Sequence, residues 1–251
     1  MLRTLMSSAV ALALLLAAAV VAPPAAANEA LIRKALLERM PKLRIDEIQR
    51  TPVEGIWEVR YSGTEILYSD ARGEHLFVGA SLIEMKTQAN LTADRLEQLL
   101  AVPWAALPMK DAIVYRQGLD KRRMAVFADP LCGFCRQFEI DLAALKDTTI
   151  HVFVLPILGT QSNALARDIW CAREPAAAWR LWMIEQQRPP KAAADCNVQG
   201  IERNVAFSRA HKIDSTPTSF FEAGARKSGA LRPAELERAF VSTPGAARKP
   251  S

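Results

Sequence analysis

Two cysteines separated by two residues stand where a strand changes into a helix, and this feature constrains the chain most. Met124–Ala128 predicts a short buried strand, and Cys135–Leu145 predicts a helix. The first N–H groups of a helix have no intrahelical acceptor, so this end favours negative charge. We therefore expect a lowered pKa for Cys132, which would be the nucleophile, and we expect Cys135 to resolve the mixed disulfide.

Gly133 and Phe134 lie between the cysteines and are expected to tune the stability of the reduced pair. A zinc site would require a second ligand pair at similar spacing, but the other two cysteines are far apart. Haem attachment is excluded because Arg136, not histidine, follows Cys135. The pattern favours redox chemistry of a thiol pair, with no metal and no cofactor beyond the thiols.

The first 27 residues have the pattern of a secretory signal peptide. Arg3 precedes an apolar run from Ala9 to Ala22, and three alanines end the segment, so cleavage is expected between Ala27 and Asn28. An uncleaved anchor is the alternative, although the run is short for a bilayer span. Export would place all four cysteines in a compartment where disulfides persist. The net charge of +5 is too mild to indicate nucleic-acid binding.

Residues 28–90 predict a small α+β domain that begins with one helix and continues with about five short strands. Asn28 is expected to cap the helix, and Pro41 to end it. The apolar positions of this helix are Leu31, Ile32, Leu36 and Leu37. A domain of this size buries little surface alone, so self-association would stabilise it.

Thr92 is expected to cap a second helix, Ala93–Leu100, within a linker of residues 91–106. The sequence leaves open whether this helix only connects the two domains or packs against one of them.

Residues 107–251 predict a second domain in which apolar strands alternate with helices, as in a sheet covered on both faces. The strands are expected at Ala112–Tyr115, Met124–Ala128 and Thr149–Leu155. Helices predicted at Ser162–Ala172, Ala176–Ile184 and Val198–Ala210 carry several tryptophans, which we interpret as core packing between helices.

Cys171 and Cys196 lie in this helical segment. A bridge between them would stabilise the segment by roughly 3 kcal/mol, and two free buried thiols are the alternative. Further on, Thr216-Pro217 stands directly before an apolar strand. A cis bond would place a turn there, but the residues alone leave a trans-proline loop open.

The order of these features resembles the thioredoxin fold. With the leader and the small N-terminal domain, residues 28–241 resemble the DsbC/DsbG family of periplasmic thiol:disulfide isomerases. The Cys-Gly-aromatic-Cys motif of residues 132–135 is closer to the DsbC members.

This resemblance implies an α+β protein: an N-terminal dimerisation domain (28–90), a linker helix (91–106) and a thioredoxin-like domain (107–251) with a helical insertion at about 157–200. It implies a periplasmic homodimer that acts on misfolded, disulfide-containing exported proteins. It also implies that a membrane thiol reductase of the DsbD type keeps the cysteine pair reduced.

The resemblance also assigns roles to residues. Thr216 and a cis Pro217 would lie beside the catalytic Cys132 and Cys135, while Cys171 and Cys196 would form a structural disulfide.

One position departs from thioredoxins, which carry a buried acid six residues before the first cysteine. Val126 occupies that position here, so water or Glu139 would have to handle the Cys135 proton. The favoured function is disulfide isomerisation, with some reductase activity. Alternatives are a periplasmic oxidase, a chaperone with secondary thiol chemistry, or delivery of copper or haem to one client.

Overall fold

The computed structural model describes residues 25–241. Most of the expected signal peptide lies outside this range, as do residues 242–251, and cleavage after Ala27 stays a prediction. Between residues 25 and 241, no helix is long and apolar enough to cross a membrane. The chain divides into two compact units between Ala80 and Ser81. The domain boundaries expected at residues 90 and 106 stay predictions.

The first unit is one helix and an antiparallel sheet. The helix is α1 (Ala25–Arg39), and the strands are β1 (Ile45–Arg50), β2 (Ile56–Tyr61), β3 (Glu65–Asp70) and β4 (Leu76–Val78). The four strands follow one another in the sheet in chain order. This arrangement is the predicted small α+β unit with four strands in its sheet in place of about five, and β4 is a short edge strand. Asn28 lies inside α1, so the prediction that it caps this helix is wrong.

The core of the first unit comes from one face of α1 and one face of the sheet. Ile32 and Leu36 are buried against Trp57, Val59 and neighbouring sheet residues. Residues four apart lie above one another on a helix, so these two face the sheet together. Leu31 and Leu37 lie off that face and are exposed.

The second unit begins with a two-stranded ribbon, β5 (Ile83–Glu84) and β6 (Ala89–Asn90), and helix α2 (Leu91–Leu99). Asn90 caps α2 by accepting the N–H of Ala93, so the prediction of Thr92 as the cap is wrong. The Thr92 hydroxyl instead accepts the N–H of Leu82, because it lies inside the helix and faces the ribbon.

Helix α2 packs against the same unit and is not only a connection. The carboxylate of Glu97 accepts hydrogen bonds from the Lys227 ammonium at 2.5 Å and from the Ser228 N–H at 3.1 Å. The guanidinium of Arg226 donates to the carbonyl of Leu100. These bonds tie both α2 and the residue after it to the last strand of the unit.

A five-stranded mixed sheet forms the centre of the second unit. Its strands are β7 (Ile113–Gln117), β8 (Arg122–Ala128), β9 (Thr148–Val154), β10 (Thr218–Phe221) and β11 (Arg226–Ser228). The order across the sheet is β11-β10-β8-β9-β7; β8 and β9 are parallel, and every other neighbouring pair is antiparallel. This is the topology expected of a thioredoxin-like domain.

Five helices complete the unit: α3 (Gly133–Leu142), α4 (Thr160–Trp170), α5 (Pro175–Glu185), α6 (Gln199–Ala210) and α7 (Pro233–Val241). Apolar residues cover both faces of the sheet, as predicted. Along β8, Met124 and Val126 face the cluster that contains α3, whereas Ala125 and Phe127 face the cluster that contains Ile213. Helix α3 begins two residues earlier than predicted, so the first cysteine of the motif directly precedes the helix.

The helical insertion is closed by a disulfide bond between Cys171, which follows α4, and Cys196, which precedes α6. Trp179 is completely buried in the core, in agreement with its interpretation as a packing residue. The indole N–H of Trp170 donates to the carbonyl of Asn197, beside the bridge. The bridge therefore joins two segments that other contacts also hold together.

A carboxyl group is buried between α3 and the edge strand β7. Glu139 is almost completely buried, and the Tyr115 hydroxyl donates a hydrogen bond to it. Burial raises the pKa of Glu139 above its usual value, and interactions with Tyr115, Trp179 and Arg180 offset only part of this effect. The folded state thus disfavours the ionised form of this carboxyl.

Replacing both Cys171 and Cys196 by alanine is expected to lower the free energy of unfolding by about 3 kcal/mol, because the open chain gains the entropy of a loop of this length. Denaturant titration of the oxidised wild type and the double variant measures the difference. Both proteins carry Cys132→Ser and Cys135→Ser, so that Cys171–Cys196 is the disulfide under test. Adding a reductant should then shift the protein with this bridge toward the double variant and leave the double variant unchanged. Equal midpoints in the absence of reductant would contradict a structural role.

Glu139→Gln is expected to remove a pH-dependent loss of stability. An acid with a raised folded-state pKa destabilises the fold progressively as pH rises from its unfolded value of about 4.3 to its folded value. The variant should therefore gain stability relative to wild type across that window and keep a constant difference above it. Denaturant titrations at several pH values test this, with Glu185→Gln as the control at an exposed position on α5.

Candidate active site

Cys132 lies immediately before the first residue of α3 and is its N-terminal cap. The backbone N–H of Cys135 donates to the Cys132 sulfur at 3.4 Å. One of the N–H groups at the helix terminus is therefore directed at the sulfur that would carry the charge of a thiolate. Both cysteines are free thiols in the structure.

A segment distant in sequence completes the site. The thiol of Cys132 donates to the carbonyl oxygen of Thr216 at 3.3 Å, and the peptide bond between Thr216 and Pro217 is cis. Because β10 pairs with β8, the residues before β10 lie at the end of β8, where the motif begins. The structure thus brings together the four residues Cys132, Cys135, Thr216 and Pro217.

The two cysteines differ in environment. Cys132 is 8% exposed and Cys135 is 2% exposed. Burial raises the pKa of the Cys135 thiol far above its ordinary value, and the neighbouring Cys132 sulfur raises it further. The backbone of Asp129 and the side chain of Thr216 counteract part of this rise. Cys135 is therefore held as a neutral thiol, and Cys132 is the more exposed of the two.

The surroundings of Cys135 bear on which group removes the proton from its thiol. Val126 is buried in the same apolar cluster as Cys135, so no acid occupies the position used in thioredoxins. The Glu139 carboxylate, which the sequence offered as an alternative, is engaged by the Tyr115 hydroxyl. Transfer of the Cys135 proton to water or to Glu139 therefore stays a prediction.

Gly133 and Phe134 form the exposed first turn of α3 between the cysteines. The Phe134 side chain is 73% exposed, so its ring is available to another molecule. A Cβ atom at Gly133 would meet no heavy atom within 4 Å, so space alone does not require glycine there.

Asp129 is a site residue that the sequence reasoning did not identify. It follows β8 directly and is completely buried. Its carboxylate accepts hydrogen bonds from the backbone N–H of Leu131, Ile157 and Leu158 and from the hydroxyl of Ser162. An acidic residue at the end of a buried apolar strand was the available signal, because a buried carboxylate requires several hydrogen-bond donors.

The helical insertion also holds the motif. The indole N–H of Trp182, on α5, donates to the carbonyl of Pro130 at 2.6 Å. The sequence suggested only core packing for the tryptophans of this segment, and Trp182 adds a direct bond to the turn before Cys132. The turn of residues 129–131 is therefore fixed by both α5 and the loop before α4.

Between residues 25 and 241, one group of three side chains could offer ligands to a metal ion. It consists of Asp70, Glu74 and His75 in an exposed turn of the first unit, and a hydrogen bond of 2.9 Å joins Asp70 to His75. Neither cysteine of the motif belongs to this group.

Comparisons with known proteins agree with this geometry. Residues 23–93 match the family described as the disulfide bond isomerase protein N-terminal domain, and residues 109–242 match the thioredoxin-like domain. A probable thiol:disulfide interchange protein DsbC from Bordetella parapertussis is 38% identical over 206 residues, which cover 82% of this chain and 72% of the relative.

More distant relatives have the same name. The thiol:disulfide interchange protein DsbC of Escherichia coli is 26% identical over 217 residues, covering 84% of this chain and 86% of the relative. A crystal structure of a disulfide interchange protein from Neisseria gonorrhoeae superposes with a TM-score of 0.51 at 27% identity and covers 54% of this chain and 100% of its own.

The two matched domains, in this order, account for most of the chain, and the cysteine pair lies at the helix terminus where a thiol:disulfide oxidoreductase requires it. The chain therefore belongs to the DsbC family of thiol:disulfide interchange proteins.

Proposed function

We propose that this protein is a periplasmic disulfide isomerase in which Cys132 attacks non-native disulfides of exported proteins. The observation that carries the proposal is the unequal placement of the two thiols. Cys132 caps α3 and receives an N–H from the helix, whereas Cys135 is buried and its pKa is raised. In a pair arranged in this way, Cys132 attacks the substrate disulfide quickly, and Cys135 resolves the resulting mixed disulfide slowly.

The first step is thiol–disulfide exchange. The Cys132 thiolate forms a bond with one sulfur of the substrate disulfide, the substrate S–S bond breaks, and the second substrate sulfur leaves as a thiolate. The freed thiolate can attack another disulfide of the same substrate. A substrate thiolate finally attacks the mixed disulfide and releases the Cys132 thiolate, so no net oxidation or reduction occurs.

Cys135 supplies a second way to release the substrate from the mixed disulfide, which is called the reductive exit below. After losing its proton it attacks the Cys132 sulfur, the substrate leaves reduced by two electrons, and the enzyme keeps the disulfide. Because burial raises the pKa of Cys135, little thiolate is present at neutral pH and this exit is slow. The substrate then has time to rearrange, which favours isomerisation over reduction.

Each reductive exit leaves Cys132 and Cys135 oxidised, so the cycle requires an external source of electrons. A membrane thiol reductase of the DsbD type would supply them, and the thiol pair would need no further cofactor. The leader pattern in residues 1–27 supports a periplasmic location for both proteins.

A homodimer held by the N-terminal units is part of the proposal. The first unit matches the N-terminal domain of disulfide bond isomerases. Its edge strand β4 carries Phe77 and Val78, which are both exposed. An exposed apolar edge strand is a surface on which a second chain can pair.

A chaperone is the second candidate, because the apolar Phe134 is exposed beside the thiols and could bind unfolded chains without any exchange. An oxidase that donates the disulfide of the same two cysteines is the third. The reduction potential of the Cys132–Cys135 pair distinguishes an oxidase from an isomerase. The effect of losing Cys132 distinguishes a chaperone from both.

Recovery of a scrambled multi-disulfide protein in glutathione buffer tests the proposal. We expect wild type to restore activity and Cys132→Ser to lose roughly 100-fold or more of the rate, because the attacking group is absent. Cys135→Ser should retain part of the rate and accumulate mixed disulfides, which non-reducing gels detect.

The two competing functions predict different results in this assay. A chaperone would still suppress aggregation and assist recovery after Cys132→Ser. An oxidase would fail to rescue scrambled substrate but would rapidly oxidise reduced, unfolded substrate. Either result would overturn the isomerase proposal.

Alkylation of the reduced protein tests the difference between the thiols. Near pH 7.5 iodoacetamide should modify Cys132 and leave Cys135 unmodified, because the raised pKa and burial of Cys135 leave little accessible thiolate. In Cys132→Ser, Cys135 should stay slow and become faster only as pH rises. Mass spectrometry follows both sites, with protein in denaturant as the control in which both react. Equal rates in the folded wild type would contradict the assignment of roles.

A further inference from the structure

Asp129 joins the turn before Cys132 to a loop of the helical insertion. One carboxylate oxygen accepts the N–H of Leu131 at 2.7 Å, and the other accepts the N–H groups of Ile157 and Leu158 at 2.7 and 2.9 Å. The hydroxyl of Ser162 donates to the first oxygen at 2.6 Å. All these donors satisfy one buried carboxylate, so the two loops are held as a single unit.

This shared carboxylate holds the loop of Ile157 and Leu158 beside the turn that carries Cys132. Bonds of such length to one carboxylate require the backbones of Leu131 and of residues 157–158 to lie within about 8 Å of each other. Leu131 directly precedes Cys132. Ile157 is 41% exposed and Leu158 is 54% exposed, although the strand and the proline before them are buried.

The loop that carries these two side chains is fixed before any substrate arrives. The N–H of Ile157 also donates to the carbonyl of Leu155 at 3.0 Å. Gly159 follows at a φ of +99°, a conformation that glycine adopts without strain, and leads directly into α4. A rigid apolar surface loses little conformational entropy when a partner covers it.

We propose that Ile157 and Leu158 bind the substrate side chain that flanks the attacked cysteine, and that Asp129 is the positioning residue for this surface. The occupant follows from the chemistry of Cys132, because the loop is bonded through Asp129 to the turn that directly precedes Cys132, and a mixed disulfide brings the residues beside the substrate cysteine to that turn. The enzyme would then favour cysteines with an aliphatic or aromatic neighbour. This inference rests on the proposed function of Cys132.

Peptide disulfides test the preference. The test uses two peptides that differ only in having leucine or serine beside their single cysteine. Each peptide is joined through this cysteine to glutathione, and each mixed disulfide is allowed to react with enzyme that carries Cys135→Ser. We expect the leucine peptide to react about 10-fold faster with the otherwise unchanged enzyme. Ile157→Ser with Leu158→Ser should reduce this ratio to less than about twofold. Both replaced side chains are exposed, so the fold should persist.

Two controls separate substrate binding from thiol chemistry. Dithiodipyridine lacks a flanking side chain and should react with Cys132 at the same rate in all these enzymes. Leu119→Ser should keep the full preference, because Leu119 is 64% exposed but lies in the turn before β8, at the opposite end of that strand from Cys132.

Asp129→Asn tests the positioning role, since an amide nitrogen cannot accept the N–H groups that one carboxylate oxygen accepts. This variant should lose the leucine preference, measured as the ratio of the rates with the leucine and serine peptides. Any change in the reactivity of Cys132 itself is measured with dithiodipyridine and cancels in this ratio. A residue that only stabilised the fold would lower the reactivity toward both peptides and dithiodipyridine in parallel.

The inference and the proposed function fail in different ways. An unchanged leucine preference in the loop variant, or no preference in the parent enzyme, would overturn the role of Ile157 and Leu158 and leave the thiol chemistry intact. Reaction with dithiodipyridine but with neither peptide would overturn both, since Cys132 would then not act on peptide disulfides. Binding of a second copy of the chain to this surface would appear as a change of oligomeric state in the loop variant and would also overturn the inference.

Discussion

The active site depends on one buried carboxylate. Asp129 follows the central strand β8 and accepts four hydrogen bonds, which hold the turn before Cys132 and the loop before α4 together. Without these donors a carboxylate could not be buried at this depth. The bond from Trp182 to Pro130 fixes the same turn from α5. The helical insertion is therefore part of the active-site support and not only an addition to the fold.

Burial gives chemically identical side chains different roles. Cys132 and Cys135 are three residues apart, yet one caps a helix and the other faces the core. The N–H of Cys135 at the helix terminus reaches the first sulfur, while desolvation holds the second as a thiol. The proposed isomerase mechanism needs this asymmetry, because slow resolution would let the substrate rearrange in the mixed disulfide.

Much of the fold and of the site could be predicted from local sequence. The strand-to-helix position of Cys132 and Cys135 is local, and so are the alternation of strands with helices and the order of the two units. One error arose where two local signals competed. Asn90 and Thr92 are both good helix caps, and the contact of Thr92 with Leu82 decided between them. In α1, the position of the sheet decided that Ile32 and Leu36 are buried while Leu31 and Leu37 are not.

The sequence by itself determined the redox motif, the thioredoxin-like order of elements and the family resemblance, because each follows from residue type and short spacing. Only the tertiary structure decided that Thr216 contacts Cys132, that Glu139 is engaged by Tyr115, and that Asp129 binds the loop of Ile157 and Leu158. These contacts join residues 24 or more positions apart. Their geometry depends on how the strands pair and where the insertion packs, which no local pattern specifies.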